Sequence, residues 1–221
     1  MAIGPKLKWI KSNLDDKIYL LTLLVISILL SILIVKNFSS NFLINTILIS
    51  SALYLFFITL RDFFSKGFKN LAQNTAHFGF SLLILSILFN SLFSSEIITN
   101  LKVGQTFENT KAKIVFESLS QKEGENYKSI IGNFIVQDSK GKIENLSPEL
   151  RIYNQPNITT SEADIKTTFL KDNFLVMNFV QNKEYFNIRY QIKGFMIWIW
   201  ISVILLSCGG FISFFNKRYE K

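Results

Sequence analysis

Four stretches of the chain are apolar over a bilayer's width: Ile18–Val35, Phe42–Leu60, Ala72–Ser95 and Gly194–Phe215. Each suits a membrane-crossing helix, which needs ~20 apolar residues. The connections after the first and second spans are short, so these helices must run antiparallel. Between the third and fourth spans the pattern changes. Glu96–Lys193 is too long for a connector and is built from short β-rich runs: Ala112–Leu119, Tyr127–Gln137, Lys142–Leu146, Asn173–Val180 and Tyr185–Ile192. Asp138–Gly141 reads as a hairpin loop with glycine where a positive φ is wanted. Glu96–Gln105 reads as a linker from the third span. Leu146–Lys166 is the least strand-like part, because Pro148 and Pro156 bar it from a central strand. Within it Thr160, Glu162 and Asp164 resemble a helix or turn start. The expected fold is an α-helical integral membrane protein of four transmembrane helices. One extracytoplasmic antiparallel β-domain stands between helices three and four. The division is 1–95, 96–193 and 194–221.

Composition agrees with a membrane protein: of 221 residues 49% are hydrophobic and 22 are Phe. The net charge of +8 could suggest nucleic acid until it is mapped. The outer segment is nearly balanced, with 13 Lys and Arg against 12 Asp and Glu. The excess flanks the apolar spans, at the N-terminus, in the Arg61–Lys69 loop and in the tail after Phe215. That is the positive-inside pattern, which puts both termini on the cytoplasmic or matrix side and leaves no basic face for nucleic acid. The opening residues lack a signal-peptide cleavage site, and Trp9 suits a membrane interface.

Candidate chemistry is sparse. The single cysteine, Cys208, lies in an apolar run and reads as a buried thiol. With one His and one Cys, a metal site made of the chain's own soft ligands is excluded. Glycine-rich phosphate loops and a nucleophile–base pair are absent from the sequence. The one histidine, His77, sits inside the third span. An ionisable residue in a membrane span is a functional candidate. Its imidazole could hold a haem iron, or could hydrogen-bond a neighbouring helix. Thr75, Ala76, Gly79 and Ser81 keep the surface around it low enough for a helix or a flat macrocycle. Gln73 and Asn74 flank it and are placed to meet its second nitrogen or a haem propionate. In the outer segment Arg151 is expected to pair with Glu149, another acid, a haem propionate or a partner. The alternative is a solvated loop that braces its own domain.

The residues taken together resemble the C-terminal part of the CcmF/NrfE family, haem lyase subunits of cytochrome c maturation. The resemblance is carried by IGPKLKW at Ile3–Trp9, AHFG at Ala76–Gly79, LSPELRIY at Leu146–Tyr153 and TTSEADI at Thr159–Ile165. The closing segment Arg189–Tyr219, with its Trp-Ile-Trp, Gly-Gly and basic tail, completes it. Gly194 stands where a proline is expected, Ser202 where a glycine is usual, and Asn173-Phe174 replaces an expected Leu-Tyr pair.

The resemblance implies that His77 is one axial ligand of a membrane haem b, and so binds the haem iron. It also implies an outer domain serving covalent attachment of haem to apocytochrome c. The family's Trp-rich outer segment and its other histidines have no counterpart here. The chain is therefore expected to be a split subunit or a truncated gene product, inactive alone. The partners implied are a separate N-terminal CcmF-like polypeptide with the Trp-rich segment, a haem chaperone, apocytochrome c, other maturation subunits and membrane lipid. The location is the bacterial or mitochondrial inner membrane. Two other readings are a non-catalytic docking subunit and an unrelated membrane receptor component.

Overall fold

A computed structural model describes residues 14–36, 41–65, 70–139, 141–180 and 183–219. The Ile3–Trp9 segment, the turn at 37–40 and the loop residues 66–69 lie outside the described residues. The chain forms two compact units, one comprising 1–93 with 194–221 and the other 94–193.

The first unit holds four helices among the described residues: α1 (Leu14–Val35), α2 (Phe42–Ser65), α3 (Leu71–Phe93) and α4 (Met196–Tyr219). All four are long and apolar enough to cross a membrane, with mean hydropathy from 1.7 in α3 to 3.0 in α1. They pack in sequence, α1 on α2, α2 on α3 and α3 on α4. Val35, Ile49, Ala52, Leu53 and Leu85 form their buried core. The second span was expected to end at Leu60, yet α2 runs on to Ser65. Arg61 thereby stays helical, and its guanidinium lies 4.0 Å above the Tyr19 ring of α1. A long stem lets arginine remain on an apolar helix while its charge finds an aromatic face.

The second unit is a β-sandwich. Its strands are β1 (Ser95–Leu101), β2 (Thr106–Glu108), β3 (Ala112–Glu123), β4 (Tyr127–Asp138), β5 (Ile143–Leu146), β6 (Glu149–Tyr153), β7 (Thr159–Glu162), β8 (Asp164–Thr167), β9 (Lys171–Phe179) and β10 (Phe186–Gly194). One sheet has the order β1-β10-β9-β8. The other runs β2-β3-β4-β6-β7, with β5 also on β4. Alternate residues face inward, as the two-residue period of a strand requires. Ala112, Ile114 and Phe116 of β3 meet Leu175 and Met177 of β9 and Ile188 and Tyr190 of β10 in one buried core. Phe116 and Phe134 stack across β3 and β4 with ring centroids 4.3 Å apart. Each such side chain contributes about 1.5–3 kcal/mol by leaving water. Gly141 has φ 82°, the left-handed value anticipated for the loop after Asp138.

Three expectations are corrected here. Ser95–Leu101 is no linker: it is β1, paired with β10 from Ser95↔Ile192 to Leu101↔Phe186. The third helix ends at Phe93 to release it. Leu146–Lys166 is not an irregular loop, because it supplies β6, β7 and most of β8. Pro148 and Pro156 fall between strands, so neither interrupts a ladder. Thr160, Glu162 and Asp164 start no helix; they lie on β7 and β8, where cross-strand pairing outweighs a local capping preference.

Candidate functional site

α3 uses its faces differently. Toward α4 it presents Ala76 and Gly79. A Cβ on Gly79 would stand 3.1 Å from the Ser202 carbonyl oxygen, and one on Gly209 would stand 2.7 Å from the Ala76 nitrogen. Toward α2 it presents Phe78, stacked on Phe63 at 5.3 Å, and Ser81, whose hydroxyl shares a 2.6 Å hydrogen bond with that of Thr59. The rest of the helix is open, with Gln73, Phe80, Ile87 and Ser91 exposed. His77 is half-buried at the border of this open stripe. It follows Gln73 by four residues and precedes Phe80 by three, the spacings that share a helix face.

This arrangement decides between the two uses offered for the small residues: a helix, and not a macrocycle, lies against Ala76 and Gly79. Ala76 and Gly79 leave no room for a macrocycle, because the α4 backbone already fills the hollow they make. Small residues at helix crossings allow such close approach. The two amides before His77 also separate. Gln73 is exposed on the open stripe, whereas Asn74 is 6% exposed and its Nδ2 has no hydrogen-bond partner among the described residues. A flat group could therefore reach His77 only along the stripe of Gln73, Phe80 and Ile87. The orphaned Asn74 amide, three residues before His77, is a donor left for something polar. Among the described residues no group of three or more His, Cys, Asp and Glu is poised to hold a metal ion. The residues present would fit one side of a haem, to which His77 would offer one imidazole nitrogen.

Arg151 lies in the other unit, on β6. Its Nε donates to Glu149 Oε2 at 3.0 Å, and its guanidinium sits 5.1 Å from the Tyr127 ring. Ser129 Oγ donates to the same Glu149 oxygen at 3.0 Å. Tyr127 and Tyr153 approach with centroids 5.4 Å apart. Glu149, Arg151 and Tyr153 alternate with core-facing Leu150, so they share the outward face of the sheet. Burial would raise the Glu149 pKa, but the hydrogen bonds from Arg151 and Ser129 outweigh it and hold the carboxyl below its usual value. The Glu149 bond raises the Arg151 pKa further. Sequence reading found the Arg151–Glu149 pair and missed Tyr127, Ser129 and Tyr153. The alternation of Glu149-Leu-Arg-Ile-Tyr153 was the signal available.

The outer unit's limits coincide with a known family. The family described as "CcmF C-terminal beta-sandwich" matches residues 92–194. The cytochrome c-type biogenesis protein CcmF of Escherichia coli is 24% identical over 231 aligned residues, covering the whole chain and 36% of that protein. The chain is a relative of the C-terminal part of CcmF. CcmF of Pseudomonas aeruginosa is 27% identical over 145 residues, covering 66% of the chain and 22% of the relative. NrfE of Haemophilus influenzae is 24% identical over 176 residues, covering 79% and 28%. The fold matches a solved structure of "Cytochrome c Heme Lyase CcmF" with TM-score 0.68, covering 94% of this chain and 36% of that one at 18% identity. The chain thus spans roughly a quarter to a third of the CcmF relatives it matches.

Four apolar helices and this similarity to CcmF make it an integral membrane protein. The departures from the CcmF pattern have local reasons. Ser202 is fully buried against α3, and its hydroxyl turns back to donate to the Ile199 carbonyl at 2.6 Å. Gly194 sits where a Cβ would stand 3.0 Å from that of Phe93, and its carbonyl accepts from Asn90 Nδ2 at 2.6 Å.

Proposed function

We propose that this chain is the C-terminal subunit or fragment of a cytochrome c maturation haem lyase. In it His77 supplies one axial ligand of a membrane haem b. The observation that carries this reading is the position of His77 at the border of the open stripe of α3, away from the faces taken by α2 and α4. An ionisable side chain inside a membrane span is a functional candidate by its cost there. The chain has no second histidine, so the opposite ligand comes from a separate polypeptide with the family's Trp-rich segment. When bound, haem b supplies electron transfer that keeps delivered haem iron reduced. This chain's part is to hold and orient the iron through His77, with the Asn74 amide as the nearby donor. The outer β-sandwich lies on the extracytoplasmic side, where its Tyr127–Arg151–Tyr153 face receives a carboxylate of haem or of apocytochrome c. Both termini lie on the cytoplasmic or matrix side.

Affinity purification of the tagged chain from its native membrane tests the proposal. Co-purification of a Trp-rich membrane polypeptide together with b-type haem is expected. Recovery of the chain with neither removes the reading.

A further inference from the structure

We propose that β1 is an open docking edge, where an extended segment of apocytochrome c joins the β1-β10-β9-β8 sheet as a further strand. The inference rests on the reading of the chain as a haem lyase subunit, and it names where and how that subunit holds its polypeptide substrate.

The strands that end the two sheets are not alike. β2, β7 and β8 have three or four residues, whereas β1 has seven. Shortness, charges, proline and bulges are the devices that keep a sheet edge from pairing with another chain. β1 is long, contains no proline, and keeps its register against β10 without a shift from Ser95 to Leu101. Its one charged residue, Glu96, is turned away from the edge. Arg189 Nε and Gln191 Nε2 of β10 both donate to Glu96 Oε1, the second at 2.8 Å. Asn100 is drawn the same way, its Oδ1 accepting from Asn187 Nδ2 at 3.0 Å. Between them Ile98 is 60% exposed on the outward face, while Ile97 and Leu101 fill the core. In an antiparallel ladder only alternate residues of an outer strand direct their N–H and C=O groups to the inner neighbour. Among the described residues no other backbone hydrogen bond reaches Ser95–Leu101. The remaining backbone groups of β1 are left for an incoming strand.

The bonding chemistry selects the occupant. A folded protein has already paired nearly all of its buried backbone groups. A partner for this edge must bring a segment whose own N–H and C=O groups are free. Apocytochrome c is such a polypeptide, because its Cys-x-x-Cys-His segment has to be open for haem to reach both thiols. Strand addition takes its affinity from the main chain and its selectivity from alternate side chains. Here the outward position is Ile98, which favours an apolar side chain opposite it.

The test titrates the full chain, in detergent micelles, into a fluorescein-labelled synthetic peptide carrying the Cys-x-x-Cys-His segment of an apocytochrome c, with anisotropy as the readout. Two further versions of the peptide carry N-methyl groups on alternate backbone amides, one version for each alternating set. The proposal expects saturable binding that one methylated set weakens severalfold and the other leaves unchanged, because only one set faces β1. Hydrogen exchange should slow over Ser95–Leu101 when the unmodified peptide is bound, and stay unchanged over Asp164–Thr167 of β8. Equal binding by all three peptides overturns the proposal, as does equal loss from both methylated sets. Absence of saturable binding, or exchange over Ser95–Leu101 that the peptide does not slow, also overturns it. So does self-association of the chain that protects Ser95–Leu101 and excludes the peptide, since a second copy would then occupy the edge. None of these readouts involves haem, so their failure leaves His77 as a haem ligand untouched. Loss of b-type haem from the co-purified complex would equally leave the peptide result in place.

Discussion

A Cβ placed on Gly79 of α3 would stand 2.9 Å from the backbone nitrogen of Leu206 on α4. Gly209 of α4 repeats the relationship in reverse against Ala76. Each helix thus offers a glycine where the other's backbone passes. Gly210, one residue on, would place its Cβ in open space. Gly79→Val and Gly209→Val should each weaken the unit by about 1–3 kcal/mol, the usual cost of overpacking. Gly210→Ala should change it little. Denaturant unfolding in detergent micelles checks this, and equal effects at 209 and 210 would contradict the packing.

The spans were legible because a run of apolar residues long enough for a bilayer has few other uses. The sandwich was legible where strands alternate strongly, as at Ala112–Phe116 and Leu175–Met177. It was hidden where strands are short, polar and near proline, as at Thr159–Glu162 and Asp164–Thr167. Such segments become strands through their neighbours, since β6 is held between β4 and β7. The use of Ala76 and Gly79 stayed open between a helix and a macrocycle for a related reason. A small residue announces a close approach without saying by what.

The Thr59–Ser81 hydroxyl pair joins α2 to α3 inside the bundle, with Thr59 5% exposed and Ser81 fully buried. Hydrogen bonds between membrane helices are worth about 0.6 kcal/mol on average. A double-mutant cycle of Thr59→Val and Ser81→Ala, read by the same unfolding assay, should give a coupling energy of that size. Strict additivity would show that each hydroxyl is satisfied by its own helix alone.

Arg151→Ala should destabilise the outer unit, since it leaves a half-buried Glu149 without its cation. The Glu149 carboxyl is held below its ordinary pKa, so the bond's contribution is complete above the unfolded carboxylate range. It is lost as pH falls through the lower, folded value. Thermal unfolding of wild type and Glu149→Gln as a function of pH should therefore converge in acid and diverge toward neutral pH. Parallel curves throughout would contradict the assigned bond.

The basic flanks argue for the proposed orientation, because reversing it would translocate most of the membrane unit's excess Lys and Arg. A cysteine at Glu125, exposed between β3 and β4, should react with an impermeant maleimide added from the outer side of intact cells or mitoplasts. Reaction only after the membrane is opened would reverse the topology.

The central claim is that His77 ligates a haem shared with another polypeptide. The most direct test is the reduced-minus-oxidised absorption spectrum of the assembled complex carrying His77→Ala, with the variant chain shown to be inserted and co-purifying at wild-type level. The account predicts loss of the six-coordinate b-type bands. An unchanged haem b spectrum in that complex would contradict it.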